Sequence, residues 1–113
     1  MKQRLLVMNG QMLVQNERSG EWQTDRVEKS ANVKPGIYAI YLATAADKGK
    51  VHDGPVLYIN DAGIYQQVGT NFVVHERDSF PKIPELGANL SVRYPNGICV
   101  ATPVTKKAGR KIS

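Results

Sequence analysis

The side chains able to do chemistry in this 113-residue chain concentrate between Gln66 and Arg93. Gln66 and Gln67 offer carboxamides, His75 an imidazole, Glu76 a carboxylate, and Arg77 and Arg93 guanidinium groups. His52-Asp53 and His75-Glu76 are its histidine–carboxylate neighbours. An imidazole titrates near neutrality and suits general acid–base work. Adjacent residues of a strand point to opposite faces, however, so Glu76 is poorly placed to orient His75 if one strand runs through both. A metal centre needs three or four ligands drawn from several elements. Two histidines with a carboxylate would make a 2-His-1-carboxylate site, but no recognisable ligand spacing accompanies them. The glycines form neither GxGxxG nor GxxxxGK[ST], so no phosphate-cradling loop is present. Cys99 sits in an apolar strand and reads as a buried, inert thiol. The expectation is a non-enzymatic protein with no cofactor and no metal.

The elements that must carry these residues read as strands. From Asp53 to Thr102, short apolar runs are punctuated by DAG, VGTN, PKIP, ELG and PNG. Val56–Ile59, Ile64–Val68 and Phe72–His75 are predicted strands. In the last, Phe72 and Val74 share one face while Val73 and His75 share the other. His75 is expected on the solvent- or partner-facing side, and one of Gln66 and Gln67 is expected to face outward. Arg77–Phe80 suits one helical turn, which Pro81 and Pro84 stop from growing. Leu90, Val92 and Tyr94 alternate inward, Pro95-Asn96-Gly97 turns the chain, and Ile98–Ala101 closes the sheet.

Upstream, Lys2–Met8 and Gln11–Gln15 flank Asn9-Gly10, the strongest two-residue hairpin signal, because both turn positions need positive φ. Asn16–Gly20 reads as a polar loop, and Trp22–Val27 as a weakly signalled strand. Ile37–Ala43 is apolar on both faces and is predicted to be a fully buried central strand. The fold class expected is all-β with at most one short helix. Its architecture would be a small SH3-like or OB-like barrel (residues 53–105) preceded by an N-terminal β extension (1–52) and followed by a basic tail (106–113).

The net charge of +5 lies mostly in that tail. Lys106, Lys107, Arg110 and Lys111 stand there without an acid, which leaves +1 for residues 1–105. No apolar run approaches the ~20 residues of a membrane span. The apolar stretch after Met1 is also too short for a signal peptide. With a single cysteine, these features predict a cytoplasmic protein with no membrane partner.

A further pattern lies in Tyr65-Gln66-Gln67-Val68-Gly69, Val74-His75-Glu76-Arg77, Pro84-Glu85-Leu86-Gly87 and Ser91-Val92-Arg93-Tyr94-Pro95-Asn96-Gly97. This order of motifs resembles the KfrB domain. Glu76 stands where the family usually has Asp. The openings MKQRLLVMNGQ and PGIYAIYLATAADK are also similar to those of single-domain KfrB-type plasmid proteins. The resemblance implies a role in maintenance or transfer of conjugative plasmids, with a KfrA-like or KfrC-like plasmid-encoded protein as partner. Its matching polar positions, Gln67, His75, Arg77 and Arg93, are expected to form the recognition surface together with Tyr65. Exposed strand edges would invite a partner or a second copy to add a strand. The alternative reading is a nucleic-acid-binding barrel. Tyr65, Phe72, Arg77, Arg93 and the basic tail would then contact the nucleic acid, and Tyr58, Tyr65 and Phe72 would supply a stacking platform.

Overall fold

A computed structural model describes residues 2–61 and 63–104. The tail expected at 106–113 lies outside the described residues. Ten strands follow one another: β1 (Gln3–Met8), β2 (Gln11–Arg18), β3 (Glu21–Lys29), β4 (Gly36–Tyr38), β5 (Thr44–Ala45), β6 (His52–Ile59), β7 (Ile64–Val68), β8 (Asn71–His75), β9 (Asn89–Arg93) and β10 (Val100–Pro103). Single 3-10 turns stand at Ile40–Leu42, Arg77–Ser79 and Pro95–Gly97. The protein is all-β.

The strands make two sheets, ordered β3-β2-β1-β4 and β10-β9-β6-β7-β8-β5. The first grows from two tight hairpins. Asn9 and Gly10 both take positive φ, as the Asn-Gly signal requires. Ser19 and Gly20 do the same. The stretch expected to be a loop after Gln15 is therefore the continuation of β2 and a second two-residue turn, with Arg18 paired to Glu21.

The second sheet is organised by β6. Its first half, His52–Pro55, pairs with β9, and its second half, Val56–Ile59, pairs with β7. A register shift between Val56 and Tyr58 redirects the strand. Val56, Leu57 and Tyr58 are consequently all buried, although successive strand residues ordinarily alternate. Leu57 and Tyr58 join a core with Leu5, Val7, Met12, Val14, Val33 and Ile40. Val56 joins a second core with Ile64, Phe80, Leu90, Val92, Tyr94 and Cys99.

Two expectations about architecture change. The strand buried on both faces is β6, not Ile37–Ala43. That apolar run supplies only the short edge strand β4 and a 3-10 turn, and Ile37 and Leu42 are 63% and 60% exposed. Apolarity on both faces marks burial only when neighbours flank both sides, and β4 has β1 alone. The second sheet also stays open among the described residues, with β10 and β5 at its ends and no pairing between them. Barrel closure is not part of the fold described.

The sheet edges are blunted rather than offered. β4 and β5 span three and two residues. β10 ends in Pro103, and the long edge β3 is bulged at Asp25, which has no partner between the pairs Val14–Arg26 and Gln15–Thr24. Short edges, prolines and bulges all disfavour strand addition.

Close packing at the bend of β6 depends on Gly54, where an added Cβ would overlap the backbone carbonyl of Gln67. Gly69 also has positive φ but open space around it. Gly54→Ala is expected to destabilise by at least about 3 kcal/mol through forced overpacking. Gly69→Ala should lose only about 1–2 kcal/mol from the left-handed backbone. Denaturant unfolding of both variants checks the order.

Candidate functional site

The residues singled out by chemistry separate into an interior set and a dispersed surface set. β7 directs Gln66 inward and Gln67 the other way, and Gln66 is fully buried. β8 directs His75 inward beside Val73, leaving it 1% exposed. The expectation that His75 faces solvent or a partner is therefore overturned. Its strand face is the one that packs on Phe80 and Tyr94, with ring centroids 5.7 and 5.9 Å away.

Hydrogen bonding fixes the direction of each group in this interior set. The Gln66 Nε2 donates to the backbone carbonyls of His52, Gly54 and Leu90, each at 3.0 Å. Three acceptors around one atom identify it as the amide nitrogen. Gln66 Oε1 must then accept, and it lies 2.7 Å from His75 Nε2. His75 is therefore the neutral Nε2–H tautomer, and its Nδ1 accepts from the Tyr94 hydroxyl at 2.6 Å. Cys99 lies beside Tyr94 in the same core. The resulting chain runs one way, from Tyr94 hydroxyl to His75 to Gln66 to the backbone of β6 and β9.

The electrostatics keep these groups uncharged near neutral pH. Burial and the charge of the neighbouring His52 push the His75 pKa down to about 4. Burial chiefly, with Cys99 and Glu76 adding to it, raises the Tyr94 phenol, and burial raises the Cys99 thiol. Every titratable member is thus held neutral. His52 and His75 do come within 5.3 Å of each other, ring to ring. Both His75 nitrogens are occupied, however, and His52 Nε2 donates to the Asp47 carbonyl at 2.8 Å. Among the described residues no group of three potential ligands is gathered. Both nitrogens of His75 thus serve hydrogen bonds within the fold.

The surface set has its own local partners. Arg77 pairs with Asp61 at 3.4 Å, and Glu76 with Lys48 at 3.7 Å. Arg93 is exposed at the end of β9. Tyr65 and Phe72 pack against the first core, and Tyr58 is 1% exposed. The Tyr58–Tyr65–Phe72 stacking platform is therefore absent from the surface. Gln67 is half-buried and lines a cavity with Asn32 and Asn89.

Register exposes a different surface, on the N-terminal sheet. Leu6 pairs with both Ile37 and Leu13, and Leu13 pairs with Val27. Paired residues share a face, so Ile37, Leu6, Leu13 and Val27 form an apolar row crossing all four strands. Their neighbours Leu5, Val7, Met12 and Val14 fill the opposite, core face. Val27 and Ile37 are 56% and 63% exposed, and Met8, on the same face, is 43% exposed. A polar row borders it: Arg4 Nε donates to Gln15 Oε1 at 2.8 Å, and Gln15 Nε2 to Thr24 Oγ1 at 3.0 Å. Arg4 also stacks 4.2 Å over the Trp22 ring, and Trp22 neighbours Tyr41. Single leucines and valines gave no hint of this row in the sequence, because it exists only once four strands are in register.

Residues 51–103 match the family model of the KfrB domain. Within the chain, that segment is similar to the KfrB domain. It is also 33% identical over 97 residues to Protein TraB of Escherichia coli, a match covering 83% of this chain. The chain spans 66% of that relative's length, just under two thirds. The KfrB-domain match begins just before β6 and ends with β10, so it contains the whole interior chain of hydrogen bonds, whereas the apolar row lies upstream of it.

Because the folded protein holds His75 neutral to about pH 4, the unfolded chain takes up a proton first, near its ordinary value of 6.5. Stability is therefore expected to fall as pH drops from 6.5 to about 4 and to flatten below that, by on the order of 3 kcal/mol in all. His75→Gln should be less stable at neutral pH and should lose this component of the slope; urea unfolding across pH checks it. Gln66→Leu leaves a buried His75 N–H and three carbonyls without their donor or acceptor, and is expected to lose about 3–5 kcal/mol.

Proposed function

We propose that this KfrB-domain protein is a non-enzymatic adaptor, which docks a plasmid-encoded partner protein on the outward face of its N-terminal sheet. A plasmid-related role fits the KfrB domain and the similarity to TraB. The observation that carries the reading is the uncovered apolar row from Ile37 to Val27. Contiguous exposed apolar surface on a soluble domain marks contact with another protein more often than chance. Blunted edges speak against strand addition, so the face does the docking.

Charge selects the occupant. Arg4 and Lys29 flank the row on the same face, with Glu17 as the acid that register places beside them. A second copy would bring these cations against one another. A partner with an apolar stripe and acidic margins complements them. A KfrA-like or KfrC-like protein of the same plasmid is the partner to try first. The interior chain of hydrogen bonds supports the non-enzymatic reading, since its members are saturated and shielded.

The test is Val27→Glu combined with Ile37→Glu, two exposed positions. Unfolding stability should change by less than about 1 kcal/mol. Affinity for the plasmid's KfrA-like or KfrC-like protein, measured by calorimetry, should drop about ten-fold or more, the weight of a contact at the centre of an interface. Undiminished binding by the double variant overturns the reading. So does self-association through this face in light scattering. Tight oligonucleotide binding that falls steeply with salt would favour the nucleic-acid alternative instead.

A further inference from the structure

The opposite side of the N-terminal sheet meets the second sheet at a seam, and a cavity of about 340 Å³ opens there between Tyr38 and Leu57. Asn32, Lys34, Gln67 and Asn89 line it, with Tyr38 and Leu57 from the core side. Its wall exists because Gly87 lets two loops touch: an added Cβ there would stand 2.5 Å from Asn32. The Gly87 N–H donates to the Val56 carbonyl at 2.7 Å, tying this wall to β6. The Tyr38 hydroxyl is already committed to the Lys34 carbonyl at 2.6 Å. Among the described residues, the side chains of Asn32, Lys34, Gln67 and Asn89 have no hydrogen-bond or ion-pair partner.

We infer that this cavity is a second binding site, which takes a short peptide segment bearing a carboxylate. Three carboxamides each present a donor and an acceptor, the complement of a peptide main chain. Lys34 adds one cation, and among the described residues no acid lines the cavity, so an anionic group is matched to it. A polynucleotide is disfavoured, because its affinity is built from several phosphate contacts and one lysine supplies one. The volume is at the small end of about 300–1,000 Å³ for ligand sites, which suits two or three residues. The carboxylate can come from a chain end or from an acidic side chain. The site lies on the core side of the N-terminal sheet, away from the apolar row, and stands independently of it.

The full-length, 15N-labelled protein would be titrated with three acetylated peptides: Gly-Ala-Leu-Ala with a free C-terminus, the same peptide amidated, and amidated Gly-Ala-Leu-Glu. The carboxamide NH2 signals of Asn32, Gln67 and Asn89 should shift saturably with the free acid. The neutral amide should bind about ten-fold more weakly. Binding of the Glu peptide as well would assign the acid to a side chain; its failure would assign it to a chain end. Lys34→Gln and Gln67→Leu, both tolerable to the fold, should each weaken binding about five-fold or more. Absence of saturable shifts at millimolar peptide overturns the inference. So does tighter binding of adenosine monophosphate at the same signals. Val27→Glu with Ile37→Glu should leave the titration unchanged, which separates this site from the docking face.

Discussion

The carboxamide of Gln66 is the group on which the rest of the structure depends. It is fully buried, and a buried carboxamide is tolerable only when its donors and acceptor are met. Here the nitrogen meets three carbonyls, two on β6 and one on β9, where β6 changes partner from β9 to β7. The oxygen meets His75. One side chain thus ties together the strands at the point where the sheet bends. Because each partner fixes the next and burial keeps the imidazole neutral, the tautomer of His75 and the hydroxyl direction of Tyr94 follow from it. A fully satisfied buried network of this kind specifies one arrangement, and a half-satisfied one would weaken it.

That arrangement sets what the outside can do. With β6 bent and buried on both faces, one side of the second sheet is free to receive the N-terminal sheet, and Leu57 and Tyr58 share a core with β1 and β2. Arg26 of β3 donates to the Tyr58 hydroxyl, adding a polar tie across the two sheets. Fixing one face of the N-terminal sheet leaves the other uncovered, and the apolar row is a consequence. The proposed division of labour is therefore physical: the KfrB domain proper supplies rigidity, and the sheet it carries supplies contact.

Much of the fold was legible in the sequence because hairpin chemistry is local. Asn9-Gly10, Pro95-Asn96-Gly97 and the alternation of Leu90, Val92 and Tyr94 each encode their geometry within a few residues. Ile37–Ala43 was misleading, since continuous apolarity does not say whether a neighbour will cover it. The candidate site was less legible. Placing Val73 and His75 on one face was sound, but whether that face turns inward depends on Phe80, Tyr94 and Gln66, which come from other elements. A polar pair such as Gln66-Gln67 carries no mark of which member will find buried partners. The apolar row is spread over positions 6, 13, 27 and 37, so only the pairing of four strands reveals it.

The most direct test of the central claim is methyl NMR of the protein with the proposed partner, a KfrA-like or KfrC-like protein, added stepwise. The methyl groups of Leu6, Leu13, Val27, Ile37 and Met8 should shift or broaden together, while those of Val56, Ile64 and Val92 in the second core stay in place. Perturbation centred on the second core, or on residues near Arg77 and Arg93 with the row unchanged, would contradict it.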